Sequence, residues 1–429
     1  MSASVTIPTY RVVRTLGVND DRLEHTVART RTWVTALAIL AALGLVAGCA
    51  NTGSAPSGGS GPDTSGPIKI GVIVPLSGPA GPNGQDVLDA IQVQADVVNS
   101  RGGVQGRQLQ VVAKDDQSKP ASGVSAATEL AGEGVSVVMG GWNSPVTLAI
   151  QPVLVRSNIL NITTIPQNAT ILGHADPAAV RLNAGNAVGA YVAGQYLTKN
   201  LKARSVGLLL ENDAYGNDLG ALLTAQLKPA GVTVATQQTF DYAATDFRVP
   251  LSNIRSAAPQ AVFSANAAES SGMPALAQQY ARSGIPAPHV AALGTVSPKV
   301  IGLAGGAAVD GLHSADIYFP DVAPFSGYPA NQAFVGAFQA KTGNPPDKYA
   351  ALGAQSVDVW AKAVQKAGST DRQAVADAIH GQSFTDTVMG DVKFTGQGQM
   401  QAKVFAFTVR GGKIEVQDEV PVPDQVWNS

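Results

Sequence analysis

Ile68-Lys69-Ile70-Gly71-Val72-Ile73-Val74-Pro75 is the stretch from which the fold can be read. The run from Ile68 to Val74 is apolar, β-branched and of strand length, and Pro75 ends it because proline has no N–H for a ladder. A Gly/Pro-rich loop through Gly84 follows. Val87, Ile91, Ala95 and Val98 then recur at helical spacing over 85–99, and Arg101-Gly102-Gly103 stops that helix. The same alternation continues outward. It predicts strands over 109–113, 135–139 and 159–163, with helices over 122–131 and 146–156. A second run predicts helices over 189–201, 216–230, 246–257 and 273–283, with strands over 205–210, 233–239 and 261–264. Further helices are expected over 332–341 and 356–367. Strands at 404–409 and 413–416 flank Gly411-Gly412 as a hairpin. Strands alternating with helices of this length imply right-handed crossovers and parallel sheets. The expected class is therefore α/β, with two doubly wound parallel-sheet lobes and a ligand cleft at the carboxyl ends of their strands.

Composition narrows the function classes. The 429 residues are 45% hydrophobic and 14% charged, which describes a globular chain long enough for two cores. A net charge of −2 without a long basic run argues against a nucleic-acid partner, whose phosphates need clustered Lys and Arg. The chain has one cysteine, Cys49, so it can form no internal disulfide and no cysteine-based zinc site.

Cys49 has a distinctive setting. Arg29-Thr30-Arg31-Thr32 is followed by an apolar run from Trp33 to Ala47, closing on Val46-Ala47-Gly48-Cys49. A charged segment, a short apolar run and small residues at a cut make the layout of a secretory signal. The run is shorter than the ~20 residues that span a bilayer comfortably. Val-Ala-Gly-Cys resembles the bacterial lipobox, whose cysteine is lipidated and becomes the new N-terminus. Residues 1–48 are then a signal peptide with an N-terminal extension, and the Gly/Ser/Pro-rich residues 49–67 a flexible tether. The expected location is the extracytoplasmic face of the cell membrane, with lipid on Cys49 as the anchor.

Five motifs in order add a family. They are Ile70-Gly71-Val72-Ile73-Val74-Pro75-Leu76-Ser77-Gly78, Val98-Asn99-Ser100-Arg101-Gly102-Gly103-Val104-Gln105-Gly106-Arg107, Asp115-Asp116 with Pro120, Gly140-Gly141-Trp142-Asn143-Ser144, and Asn212-Asp213-Ala214-Tyr215-Gly216. Together they resemble the leucine/isoleucine/valine-binding family of periplasmic-type receptors. The resemblance implies a type I periplasmic binding fold, in which two lobes joined by three crossover strands close over one small solute. It also implies delivery of that solute to an ABC permease, without a cofactor and as a monomer. The crossovers are expected near 181–187, 312–316 and 394–397. One lobe is then 68–185 with 315–395, the other 186–314 with 396–429.

Such a site needs fixed donors and acceptors at strand ends and an apolar wall for the rest of the solute. Ser77 lies in the loop after the first strand. Trp142, Asn143 and Ser144 follow the strand over 135–139; Ser144 with nearby amides suits a carboxylate. Ser144-Pro145 equally suits a helix N-cap with proline behind it. Trp142 is either a lid or a packing residue. Thr163 and Thr164 match positions where the family holds a carboxylate, or are ordinary strand-end threonines. Tyr215 is a second-lobe candidate, or the anchor of the helix after it. Thr295 lies in a second-lobe loop.

One departure stands out. Family members that bind α-amino acids hold the ammonium with an acid in a Gly-rich second-lobe loop. Here that loop is Ala291-Ala292-Leu293-Gly294-Thr295-Val296-Ser297, with no carboxylate. Glu269 or Asp213 is left to supply the charge, and a buried unpaired ammonium is costly. Alanines near Asn266-Ala267-Ala268, where aromatics are expected, leave room for another solute. Amides and organic acids therefore stay open, as does a sensory receptor of the same fold. An enzyme is not expected. His25, His174, His289, His313 and His380 are scattered without metal spacing, and no Gly-x-Ser-x-Gly elbow occurs. Asp115 and Asp116 are adjacent on a strand and so point to opposite faces, which suits loop and cap bonding better than paired acid chemistry.

Overall fold

The computed structural model describes residues 66–173 and 175–429. Cys49, the signal-like run before it and residues 50–65 of the tether lie outside the described residues, as do His25 and His174. The first lobe begins with β1 (Ile68–Val74), α1 (Gly81–Ser100), β2 (Leu109–Asp115), α2 (Pro120–Gly132), β3 (Val137–Gly140), α3 (Ser144–Arg156), β4 (Leu160–Thr163) and β5 (Val180–Arg181). Then come α4 (Asn186–Gln195), β6 (Ser205–Glu211), α5 (Ala214–Leu227), β7 (Thr233–Phe240), α6 (Arg248–Ala257), β8 (Ala261–Ala265), α7 (Gly272–Arg282), β9 (His289–Ala291), α8 (Pro298–Ala304) and β10 (His313–Asp316). The chain ends with α9 (Pro329–Thr342), α10 (Lys348–Ala367), α11 (Arg372–Ile379), β11 (Ser383–Thr387), β12 (Gly390–Phe394), β13 (Met400–Gln401), β14 (Phe405–Arg410), β15 (Lys413–Glu419) and α12 (Asp424–Trp427).

The first sheet has the order β2-β1-β3-β4-β5 and is parallel throughout. Its central strand shows why an unbroken apolar run was needed. Ile68, Ile70, Val72 and Val74 enter one core with α1 and α10, while Ile73 faces the other way, onto Ala127, Leu130 and Ile150 of α2 and α3. Gly71 lies on that second face, where a Cβ would stand 2.9 Å from the tip of the Leu130 side chain and displace it. The second sheet, β15-β14-β10-β9-β8-β6-β7, is parallel from β10 to β7 and antiparallel at the β14–β15 edge. In β6, Val206, Leu208 and Leu210 pack toward α5, and Leu209 packs with Leu251 and Ile254 of α6. Gly411 and Gly412 have φ of +54° and +75°, the paired left-handed conformations of a tight hairpin turn between β14 and β15.

Several elements differ from expectation: β9, α8, α11 and α12 were not anticipated, and three further differences concern the architecture. Helix α1 begins at Gly81, inside the expected loop, with proline in its first turn. Gly84 lets that turn lie directly on the backbone of Pro75, where a Cβ would come within 1.8 Å of the carbonyl oxygen. Helix α10 begins at Lys348, capped by the Asp347 carboxylate at 3.0 Å from Ala350 N. Its first half is buried on every side, so it carries no amphipathic period to read. A three-stranded antiparallel sheet, β11-β12-β13, was not anticipated.

The chain leaves the first sheet after β5 to enter the second at β6, leaves the second after β10, and returns to it at β14, after β13. Residues 394–397 end β12 and turn, and it is Gln399 that runs beside Arg181. The Arg181 guanidinium is buried there. It donates to Gln399 Oε1 at 2.5 Å and to the carbonyls of Gln167 and Asn168 at 3.3 and 2.8 Å. No helix among the described residues is long and apolar enough to cross a membrane.

Candidate functional site between the two sheets

The carboxyl ends of strands from both sheets meet at one cavity of about 30 Å³, room for roughly one water. From the first lobe, the turn after β3 supplies Trp142, Asn143 and Ser144, and the turn after β4 supplies Ile165, Pro166 and Gln167. From the second, β6 ends in Glu211 and leads to Asp213 and Tyr215; the turn after β8 adds Ala267, and the turn after β9 adds Leu293, Gly294 and Thr295. Tyr349, in the first turn of α10, completes the lining.

Local chemistry fixes each wall. Gly140 and Gly141, at φ +107° and +89°, turn the chain sharply out of β3. Trp142 then packs against Tyr349 with ring centroids 4.7 Å apart at 51°. Asn143 precedes α3 but its side chain does not cap the helix, and the Ser144 hydroxyl accepts instead from Asn168 N at 3.3 Å. The cap expected at Ser144 is therefore not made, and the first-turn amides of α3 lack a side-chain partner. In the second lobe, Asp213 Oδ1 accepts from the amides of Tyr215 and Gly216, each at 2.9 Å, and so caps α5. Gly216 is needed because a Cβ would lie 2.0 Å from the Glu211 carbonyl oxygen.

Four buried polar atoms among the lining residues have no partner: Trp142 Nε1, Asn143 Oδ1, Glu211 Oε1 and the Tyr215 hydroxyl. Glu211 is fully buried. Its other oxygen accepts from Ala267 N at 3.0 Å. Burial, and then the nearby Asp213 charge, raise its carboxyl well above the ordinary range. Burial, followed by the charges of Glu211, Asp213 and Glu269, raises the Tyr215 phenol too, so it stays a proton donor.

Of the residues singled out from the sequence, Trp142, Asn143, Ser144, Asp213, Tyr215 and Thr295 line this cavity. Ser77 does not. It sits on an exposed loop and donates to Asp115 at 2.6 Å. Asp115 and Asp116 serve turns: Asp115 accepts from Leu76 N and Gln117 N, and Asp116 from Ser118 N. Thr163 and Thr164 are buried behind the lining, with Thr164 donating to the Gly141 carbonyl at 3.3 Å. Glu269 is also outside the lining. Ser297 donates to it at 3.0 Å, and the Tyr349 hydroxyl bonds both Glu269 and the Gly294 carbonyl. Burial raises the Glu269 carboxyl, against the pull of Lys348. Among the described histidines, His289 bonds Ser264, His313 bonds Tyr196 and Thr408, and His380 meets the Ala179 carbonyl. Glu211, Gln167 and Tyr349 were missed. Only Glu211 carried a signal, as the charged residue closing the apolar strand Val206-Gly207-Leu208-Leu209-Leu210.

Bonds across the cleft join the lobes around the cavity. Asn168 Nδ2 donates to the Ala214 carbonyl at 2.6 Å, Ala169 N to Asp218 at 2.9 Å, and Lys299 pairs with Asp86 at 3.1 Å.

Residues 67–413 match the periplasmic binding protein family. Among curated relatives, the chain is 25% identical to Leu/Ile/Val-binding protein homolog 3 of Brucella melitensis, over 81% of this chain and 92% of that one. It is 26% identical to the leucine-, isoleucine-, valine-, threonine-, and alanine-binding protein of Pseudomonas aeruginosa, over 80% and 89%. Among solved structures, a leucine binding protein from Thermotoga maritima superposes with a TM-score of 0.74 at 23% identity, covering 83% of this chain and 99% of that one. A solute binding protein of an ABC transporter from R. palustris, in complex with benzoate, also gives 0.74, at 22% identity, covering 82% and 96%. At these identities the solved structures speak for the fold alone.

Proposed function

Because the chain belongs to the periplasmic binding protein family, we propose that it captures a small polar solute outside the cytoplasm and presents it to an ABC permease. The role is binding rather than catalysis. The solute class we assign is a branched-chain or related amino acid, in keeping with the names of its relatives, a Leu/Ile/Val-binding protein homolog and a leucine-, isoleucine-, valine-, threonine-, and alanine-binding protein.

One observation carries this reading: four of the residues lining a cavity at the carboxyl ends of both sheets each carry a buried polar atom without a hydrogen-bond partner. A buried polar group without a partner costs roughly 1–3 kcal/mol, so a solute that supplies the partners is bound in proportion. Both faces of the cleft contribute, so occupancy and closure are coupled. The division into one lobe of 68–185 with 315–395 and another of 186–314 with 396–429 belongs to the same proposal. It is supported by the lie of α1 along α10 and of α11 on β4. So does the lipid anchor on Cys49, which rests on the sequence around it and would hold the receptor near its permease. Replacing Cys49 by Ser should free the protein from membranes and leave solute binding intact.

The test is a thermal-shift panel on the purified protein with amino acids, amides, small organic acids, sugars and nucleosides. A solute at a hundred times its Kd adds about 2.7 kcal/mol, a clear upward shift. Leucine, isoleucine, valine, threonine or alanine should give it. Silence from all five beside a response to another class would overturn the amino-acid assignment.

A further inference from the structure

A larger hollow lies elsewhere on the second sheet. Ala190, Ala193 and Leu197 of α4 pack with Phe263 of β8 and Val290 of β9. Farther along that sheet, at β10 and β14, a pocket of about 440 Å³ opens between α4 and the end of β15. Its room follows from its residues. Gly189 and Ala193 on α4, Ala291 on β9, Ala315 on β10 and Ala406 on β14 leave unfilled the space that larger side chains take. Even a Cβ on Gly189 would meet nothing closer than 3.6 Å. The pocket shares only Leu293 with the lining of the solute cavity, so the two are separate. Its volume falls within the range of small-molecule sites, roughly 300–1,000 Å³.

The chemistry of this pocket is unlike that of the cleft. Helix α4 runs into a single π-helical turn, Tyr196–Asn200, a feature that recurs at functional sites. Tyr196, which opens that turn, bonds His313 Nδ1 through its hydroxyl at 2.5 Å, with the rings 4.8 Å apart. Nδ1 also meets the Thr408 hydroxyl at 2.8 Å. Burial, and then the charge of Arg410, lower the His313 pKa, so the ring is neutral at pH 7. Tyr191, half-buried, adds a third ring. The charged lining residues, Lys199 and Glu419, are exposed, and Glu419 pairs with Lys403 at 2.9 Å. The floor thus offers no counter-ion, and a charge buried there without one is costly. Gln195, Asn200 and Gln417 supply neutral amides for one hydrogen bond.

We propose that this pocket is a second binding site, for a small uncharged aromatic molecule that carries one N–H or O–H, of the indole or phenol type. The alanine floor and the tyrosine and histidine rings take its ring, and a neutral amide takes its polar hydrogen. The site goes beyond solute capture and does not depend on it.

Calorimetry on the whole protein with indole and 4-methylphenol, set against indole-3-acetate and tryptophan (the same ring carrying charge), tests the site. Indole should bind at sub-millimolar concentration, within what so small a ligand can gain. The charged relatives should be weaker at this pocket by about tenfold or more. Nuclear Overhauser effects from indole to the methyl groups of Val192, Val290 and Val420, which line this pocket and not the solute cavity, locate it in the unaltered protein. Ala193→Leu on the helix and Ala406→Leu on the sheet should each cut indole affinity about tenfold through overfilling. Circular dichroism verifies that each variant is folded, and the Overhauser contacts need no variant. Absence of indole binding in the millimolar range overturns the proposal. So do contacts to the solute cavity in place of these methyls, or equal binding of indole-3-acetate beside them.

Discussion

The Lys348 ammonium and Gly294 fit one another closely: Nζ donates to the Gly294 carbonyl at 3.2 Å, and a Cβ on Gly294 would lie 1.8 Å from that Nζ. Gly294 also has φ +79°, a conformation that residues with a side chain adopt only under strain. Gly294→Ala should therefore dislodge Lys348, and with it Tyr349 from Trp142. The expected loss is about 1–3 kcal/mol of stability, with a change in tryptophan fluorescence. Urea unfolding without solute measures the first. Unaltered stability would show that Lys348 moves aside freely.

A second prediction concerns Arg181, where a planar guanidinium serves three acceptors, one on the Gln399 side chain and two on the loop of Gln167 and Asn168. Burial lowers its pKa to about 10, which still leaves it charged at neutral pH. Lysine has the charge but not the fork. Arg181→Lys should cost roughly 2–4 kcal/mol through the bonds it cannot remake, and should weaken solute binding because Gln167 lines the cavity. Denaturant unfolding and calorimetry on one preparation read both. A stable variant with normal affinity would remove Arg181 from any part in shaping the site.

Acidity should act through buried carboxyls. Burial raises Asp116 to about 6; Oδ1 accepts from Ser118 N, while Oδ2 has no partner. A carboxyl whose folded pKa lies above its unfolded one holds its proton more tightly when folded. Its contribution is fully present below pH 4 and is lost as pH rises toward 6. Above that range it amounts to about 3 kcal/mol against the folded state. Asp116→Asn should therefore flatten the fall in stability between pH 4 and 7, measured by urea unfolding across that range. A variant with the parent's slope would contradict it.

Ser77→Ala tests a residue that the sequence pointed to and the tertiary structure sets apart. Its hydroxyl serves Asp115 on an exposed loop, so affinity should change by less than about 0.5 kcal/mol. Tyr215→Phe, which removes an unpartnered hydroxyl from the cavity wall, should weaken binding measurably. The reverse pattern would relocate the site to the β1–α1 loop.

Much of the architecture was legible because its signals are local. The apolar run Ile68-Lys69-Ile70-Gly71-Val72-Ile73-Val74 announces a strand buried on both faces, and the period after it announces a helix; neither needs knowledge of a distant residue. Two of the unanticipated features have signals that are not local. The first half of α10 is buried all round and lacks a period, and α1 starts early because Gly84 can lie against Pro75. The turns carrying Trp142, Asn143, Ser144, Asp213 and Tyr215 were readable from glycine, proline and cap chemistry at strand ends.

How each acid at the cleft is satisfied was not readable. Glu211, Asp213 and Glu269 are equivalent letters until their partners are known, and two of those partners are remote. Tyr349 bonds Glu269 from 80 residues away, and Ala267 serves one oxygen of Glu211 from 56 residues away. Local alternation of apolar and polar side chains was enough to determine two layered sheets and the strand ends where a solute belongs. The electrostatic character of the site depends on which buried groups satisfy one another across the cleft, and only the folded chain decides that.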